Sequence, residues 1–585
     1  MASLAIGIDF GTTKSHLAFI PRNVSISDIP EIATYNPALH LVPNEKNFPD
    51  YRIRQDDEIQ PVPTVVSVKK LAKSSNANKY IFRCGYRALD LSTDDFNDYL
   101  IIDRIKRYMG EESLGRQRFS LEPDGLAATL IHTLVTGAVE LNEYEFDNLG
   151  VTITVPAKSD LLQRMATQFA AGAAGFKGEI YVLEEPVSAF LFHKHNQQKD
   201  GRFHAPHGPK YALVFDFGGG TCDLAVVRYQ ENKLPVVISR AMGEFGGEEI
   251  DNMFVEKFWL DPKRKNHLPF SLSDWKKDKR INKSLLLRYA RKEKEDLKTS
   301  ESVNPQVRDF HPDHVGYHST PVVHQSDLLD LLRKDENEIT ASLNGIQSTD
   351  TIFGHIRALL SAVLREGNLE RKQLDKLIFA GGSSHLLGVR DLVETWLTND
   401  VSNTKLNPRN VVFSYLETSV ALGASIHQYY RHSPDVKLRE VVAPTLSSNI
   451  DLIYSDGMKE QREILGHAGD ELPINRRGYI SSKVIFRSQQ HGTRELSFAL
   501  NNSGTSLGEQ KVQSAYAFLV KYLINEYGFP EDVVLVPLSK LFFWKWRQSV
   551  RIKPVEEYIP LLDRFLISNR KRLSQIRKDY NISVD

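Results

Sequence analysis

Cysteine is nearly absent, with only Cys84 and Cys222 in 585 residues. The two are far apart in the chain and form neither a CxxC pair nor a metal knuckle. That excludes a disulfide scaffold and is expected of a reducing, cytoplasmic setting. No run of 18 apolar residues occurs, so no membrane-spanning helix is expected. The first apolar stretch contains Asp9 and has no basic lead, so no signal peptide is expected either. A surplus of one charge is also lacking. The 74 basic and 74 acidic residues cancel, which removes any global pull toward nucleic acid or an anionic membrane. There is no GxxxxGK[ST] segment, which excludes a P-loop phosphate site. With 41% apolar and 25% charged residues, the chain has the composition of a folded protein. At about 150 residues per domain it holds roughly four units, or fewer large ones.

What the chain does contain is an internal echo. Residues 4–19 read LAIGIDFGTTKSHLAF and residues 211–227 read YALVFDFGGGTCDLAVV. Each copy has Asp-Phe-Gly, five further residues, then Leu-Ala: Asp9, Phe10, Gly11, Leu17 and Ala18 against Asp216, Phe217, Gly218, Leu224 and Ala225. The apolar run before each aspartate has the length and side-chain type of a buried strand. The Gly/Thr segment reads as a turn, and the apolar residues after it as a return strand. Two hairpins so widely separated predict a duplicated α/β architecture, not a short-period solenoid.

Helical periods fill the intervals, as α/β layering requires. They are expected at 126–141, 160–173 and 385–397, with strands at 151–155, 179–183 and 377–380. Segments 195–209 and 299–326 read as polar loops. The character changes beyond about residue 430. Residues 431–505 read as a small β unit, and 506–585 as a helical C-terminal region with a basic stretch at 564–578.

An acid at the end of a buried strand, beside a turn without bulky side chains, suits a nucleoside triphosphate. Bare backbone N–H groups approach phosphate oxygens closely. The acid would repel phosphate but holds Mg²⁺, usually through water, because that ion gives up water reluctantly. Two facing hairpins would clamp one polyphosphate.

The segments IGIDFGTTKS, VLEEPVSAFL, LVFDFGGGTCDLAVV, LIFAGGSSHLLGV and SVALGAS resemble, in order and spacing, the five nucleotide-site motifs of the actin-like ATPase superfamily. With TITVPA and FGGEEIDN, they are most similar to the DnaK-like, seventy-kilodalton heat-shock chaperones. The resemblance covers about residues 1–430. It implies a two-lobed, duplicated α/β ATPase fold, followed by the small β unit and helical tail, with ATP/ADP and Mg²⁺ as cofactors. By the resemblance, Gly11, Thr12, Thr13 and Lys14 form the first phosphate loop, and Gly218, Gly219, Gly220 and Thr221 the second. Asp9 and Asp216 flank the Mg²⁺ hydration shell. Lys106, in a Lys-Arg-x-x-Gly context, Glu185, Asp216 and Thr221 serve hydrolysis, and Asp223 follows the second loop. Lys294, Gly381, Gly382 and Ser383 hold the nucleoside. Three positions depart from the pattern: Arg291 replaces a glutamate, His385 replaces the arginine that stacks on the base, and Glu417 replaces an aspartate near the ribose.

Protein or peptide clients and a J-domain or exchange-factor partner are expected by the same resemblance. Membrane and nucleic-acid partners are not. The leucine-rich interdomain linker is replaced by Asp435-Val436-Lys437-Leu438-Arg439-Glu440, which points to a specialised chaperone or a regulatory ATPase. A small-molecule kinase and a filament-forming ATPase on the same fold are the alternatives. The histidines at 193, 195, 204, 207, 311, 314 and 318 read as exposed loop residues, since the two groups lack cysteines and supporting acids. Leu562, Leu566, Leu573 and Ile576 mark an apolar helical stripe, so the basic residues between them read as a solvated face.

Overall fold

A computed structural model describes residues 4–21, 62–70, 80–89, 98–111, 121–138, 149–159, 161–199, 208–230 and 233–333 (except 279, 309, 312 and 315), then 351–398, 410–432 and 569–582, with the backbone of seven strands between 450 and 537.

The first lobe is built on β1 (Leu4–Phe10), β2 (Lys14–Pro21), β3 (Val62–Pro63), β7 (Gly150–Val155) and β8 (Ile180–Glu184). Their order is β3-β2-β1-β7-β8, antiparallel from β1 to β3 and parallel from β1 to β8. A side sheet of β4 (Val65–Lys70), β5 (Tyr80–Cys84) and β6 (Tyr99–Asp103) adjoins it. Helices α1 (Pro123–Ala138) and α2 (Leu161–Ala174) cover one face. Proline opens α1, where its missing N–H costs nothing. Leu126, Leu130 and Leu134 are buried, as their period demands, against Met165, Phe169 and Ala173 of α2.

The second lobe repeats the plan with β9 (Lys210–Phe217), β10 (Cys222–Gln230), β11 (Lys233–Gly243), β16 (Leu374–Ala380) and β17 (Val411–Val412). The order β11-β10-β9-β16-β17 has the same mix of antiparallel and parallel pairings. The echoed hairpins therefore occupy equivalent places, and the duplicated two-lobed α/β fold is present. Four short strands, β12 (Ser302–Val303), β13 (Gln306–Arg308), β14 (Tyr317–Ser319) and β15 (Val323–His324), lie where a loop was expected. Each is too short to leave an alternating pattern.

The lobes exchange helices. The helix α3 (Glu185–Lys199) follows β8 but buries Val187, Phe190 and Leu191 against Ala212, Val214 and Ala225 of the second sheet. After α4 (Gly247–Phe254), α5 (Lys283–Asp296), α6 (Ile352–Glu366) and α7 (Val389–Thr398), α8 (Ser419–His432) returns to the first sheet. There Ala421, Leu422 and Ile426 pack with Ala5, Ala18 and Ile20.

Three sequence expectations change here. His193 and His195 are buried on α3, and His311 is also buried, 3.4 Å from Asp278. These are not exposed loop histidines; the helix runs on through them because Phe190 and Phe192 carry its apolar face. Residues 204 and 207 lie outside the described residues, as do 435–440 and the apolar positions 562 and 566. Among the described residues, the helical reading of 506–585 holds only for α9 (Arg570–Asp579). Ser506–Gln513, Phe518–Ile524 and Pro530–Pro537 are strands, so the β unit extends past residue 505. Runs of seven or eight residues with Val533, Val534 and Val536 are short and β-branched, which favours strand over helix.

The third change concerns the tail. Leu573, Ile576, Tyr580 and Ile582 join the core of the first lobe. Two basic residues are not on a wet face. Arg572 pairs with Glu122 and lies 3.3 Å from Asp124, and Arg577 donates to the carbonyls of Gly172 (2.7 Å) and Ala173 (3.0 Å).

Candidate nucleotide and catalytic site

Each hairpin ends its first strand on an aspartate and turns through small residues. In the second turn the Gly218 N–H donates to the Thr221 carbonyl at 2.9 Å. The turns face each other at a distance that only glycine permits: a Cβ at Gly219 would lie 2.1 Å from Thr13 Oγ1, and one at Gly220 2.6 Å from Thr12 Cγ2. The N-terminal end of α4 closes a third side, with Gly247 N–H donating to Gly218 O (3.1 Å) and Glu248 N–H to Gly219 O (2.8 Å). Gly381 forms the fourth side at φ +79°, where a side chain would strike Asp216 Oδ1 and Phe217 O at 2.4 Å. This left-handed conformation and close approach both require glycine.

These walls border a cleft that opens to solvent, about 840 Å³ in all when the solvent at its mouth is counted. Asp9, Gly11 through Lys14, Lys106, Glu185, Asp216, Gly218 through Thr221, Lys294 and Gly381 through Ser383 all line it. His385 does not. Its ring is exposed and meets Phe413 edge-on at 5.8 Å, while Leu386 faces the cleft instead. His385 nevertheless stands close enough to the cleft-lining Lys298, Glu417, Glu295 and Lys14 to feel their charges. Arg291, at the expected glutamate position, ion-pairs with Asp251 at 2.9 Å, and Lys294 meets the other oxygen of that carboxylate at 2.5 Å. Lys294 also donates to the Gly247 carbonyl at 2.7 Å, bracing the third wall. Lys14 lies 3.3 Å from Glu295 and 3.9 Å from Glu417.

At the bottom of the cleft the buried Lys106 ammonium pairs with the buried Glu185 carboxylate. Lys106 is presented by the one-turn helix Ile105–Tyr108, which Arg104 enters at φ +58°. Burial alone would push Lys106 down, but Glu185, Asp9 and Asp223 together hold it above its ordinary value. Burial lifts Glu185 to about 7 against the pull of Lys106, and lifts Asp216 well above the carboxylate range. Asp223, raised to about 6 by burial, sits behind the turn and accepts the Ala157 N–H at 2.8 Å. Four acids thus crowd one ammonium. That surplus of acidic groups, with Asp9 and Asp216 facing the cleft, is a donor set a hard divalent cation such as Mg²⁺ fits, since a bound cation would favour their ionised forms.

Several contributors are not evident from the motifs taken one residue at a time. Arg107 donates to the Gly220 carbonyl at 2.7 Å and pairs with Glu249 at 3.1 Å, bridging the lobes above the phosphate turns. Glu248 lines the cleft and pairs with Arg104 at 2.7 Å. Both lie inside segments already recognisable as motifs, Lys-Arg-x-x-Gly and FGGEEIDN, but their partners come from the opposite lobe. Among the described residues, no three or more His, Cys, Asp or Glu side chains are arranged to hold a metal on protein ligands alone.

Two duplicated lobes, each offering a glycine turn and an aspartate to one shared cleft, have the two-lobed architecture of the actin-like fold. The family model described as Hsp70 protein matches residues 5–463, and the chain belongs to the Hsp70 family. It is 27% identical over 437 residues to a protein named chaperone protein HscA homolog from Pseudoalteromonas atlantica, covering 72% of this chain and 58% of that one. It is 26% identical over 430 residues to chaperone protein DnaK of Mycoplasmopsis agalactiae, with the same two coverages. The chain thus spans 58% of the length of these curated relatives. Among the described residues, no helix is long and apolar enough to cross a membrane.

Proposed function

We propose that this chain is a Mg²⁺-dependent, ATP-hydrolysing chaperone of specialised type, in which the bound nucleotide controls the β unit between residues 450 and 537. Protein or peptide clients, a J-domain or exchange-factor partner and a cytoplasmic location accompany this reading. The observation that carries it is the buried Lys106–Glu185 pair set where the two glycine turns meet.

In this reading the backbone N–H groups of Gly11–Lys14 and Gly218–Thr221 cradle phosphate oxygens, and Lys294, Gly381, Gly382 and Ser383 bound the nucleoside side. Mg²⁺, when bound, neutralises polyphosphate charge and orders water around it; Asp9 and Asp216 would hold it. Lys106 orients the attacking water and offsets charge developing on the transferred phosphoryl group. Glu185, held at about 7 by burial, is matched to accept that water's proton near neutral pH. Thr221 lines the same cleft and aids placement of the water.

Lys106→Ala should lower single-turnover ATP hydrolysis by at least about 100-fold, about 2.7 kcal/mol of barrier, while nucleotide still binds. Asp9→Asn and Asp216→Asn should weaken Mg²⁺–nucleotide binding itself, because their charge acts in the ground state as well. Parental turnover in Lys106→Ala would remove the assignment. Turnover stimulated by a small hydroxylic acceptor and not by an unfolded peptide would replace the chaperone reading with that of a kinase.

A further inference from the structure

His16 stands in the cleft, yet the mechanism above does not use it. Its side chain is only 5% exposed, and among the described residues neither ring nitrogen has a hydrogen-bond partner. Nδ1 lies 3.5 Å from Asp9 Oδ2, near but not bonded to it. A buried polar group left without a partner costs about 1–3 kcal/mol, so such a group in a ligand cleft points to a ligand.

The duplication sharpens the point. In the first hairpin Asp9 is paired across the strands with His16, and in the second Asp216 is paired with Asp223. The same register position carries an imidazole in one half and a carboxylate in the other. Asp223 is engaged by the Ala157 N–H, whereas His16 is left facing the cleft beside Asp9.

We propose that His16, together with Asp9, can ligate the divalent cation that accompanies the nucleotide, so that this site takes a first-row transition ion through His16 as well as Mg²⁺ through its oxygen ligands. The inference rests on the nucleotide-binding reading above. Two ligand atoms each about 2.1 Å from one ion are about 3.0 Å apart at a right angle and about 3.4 Å at the tetrahedral angle. The observed 3.5 Å between Nδ1 and Oδ2 is close to the second value. Imidazole nitrogen favours first-row transition ions, while Mg²⁺ prefers oxygen and retains its waters. Two protein ligands suffice where phosphate oxygens complete the shell.

Pulsed EPR on the full-length protein with Mn²⁺ and ADP tests this. The parent should show a nitrogen hyperfine coupling from a directly bound ring nitrogen, and His16→Ala should lose it. Calorimetric titration should show Mn²⁺–ADP affinity falling about 10-fold or more in His16→Ala, with Mg²⁺–ADP affinity changed less than about 3-fold. A parent spectrum without nitrogen coupling, or a coupling that persists in His16→Ala, overturns the proposal and leaves nucleotide binding intact. A parent that binds neither Mn²⁺–ADP nor Mg²⁺–ADP overturns the nucleotide reading and this one together. Should His16→Ala fail to fold, the parent spectrum alone decides.

Discussion

At Glu248, burial outweighs two nearby guanidinium groups, Arg104 and Arg291, and lifts the carboxyl from its ordinary 4.5 to about 7. The folded protein therefore holds this proton more tightly than the unfolded chain does. The associated stability is fully present below about pH 4.5 and is lost as pH rises through about 7, with a ceiling of roughly 3 kcal/mol. Thermal unfolding of the nucleotide-free protein at pH 5 and pH 8 should show that loss, and Glu248→Gln should flatten the difference. An unchanged pH dependence of Tm in Glu248→Gln would mean that the pair with Arg104 keeps the carboxylate ionised. Glu248 begins α4, whose N–H groups already brace the second phosphate turn. Charge at this residue is thus linked mechanically to the cleft wall.

Among the elements, α9 is the one whose position along the chain says least about its place in the fold. It is the last described helix, yet it completes the core of the first lobe. Tyr580 stacks on Phe82 with ring centroids 5.2 Å apart and bonds the backbone of Glu122. Gly125 of α1 is where the Tyr580 ring lies; a Cβ there would come within 2.3 Å of it. Ile576→Ala should therefore destabilise the protein by about 2–5 kcal/mol, as a cavity in a packed core does. Lys571→Ala, on the exposed side of the same helix, should change it by less than about 0.5 kcal/mol. Chemical denaturation of both variants separates a docked helix from a dispensable tail. Equal, negligible effects would show that α9 is not part of the core in solution.

Across the whole molecule the two lobes are joined by more than exchanged helices. Glu184, at the end of β8, accepts from Arg164 of α2 at 2.7 Å and from Arg240 of β11 at 2.6 Å. One carboxylate thus ties the lobes together one residue before Glu185. All three groups are largely withdrawn from water, so their mutual satisfaction matters more than their number: a buried charge that loses its partner is expensive. Arg240→Ala should cost about 3 kcal/mol of stability, the low end for a broken buried pair because Arg164 remains. It should also lower hydrolysis by loosening the turn that presents Glu185. Denaturant unfolding combined with single-turnover assays checks both effects; a loss of stability with full activity would confine the triad to structure.

The sequence by itself determined the duplication, because a strand ending in Asp-Phe-Gly is a local pattern that survives wherever it lies in the fold. It likewise determined the glycine turns and the lysine and acids that crowd between them. A phosphate cradle needs bare backbone, and nothing but small residues provides it. Only the tertiary structure decided that His16 faces Asp9 and that the His385 ring meets Phe413, since cross-strand register and the direction of a one-turn helix are not written in residue spacing. It alone decided that Arg291 turns to Asp251, that Arg107 spans to Gly220 and that α9 seats on α1 and α2. Each of these contacts joins residues 40 to about 460 positions apart, and such pairings are selected by the packing of whole layers, which no window of sequence contains.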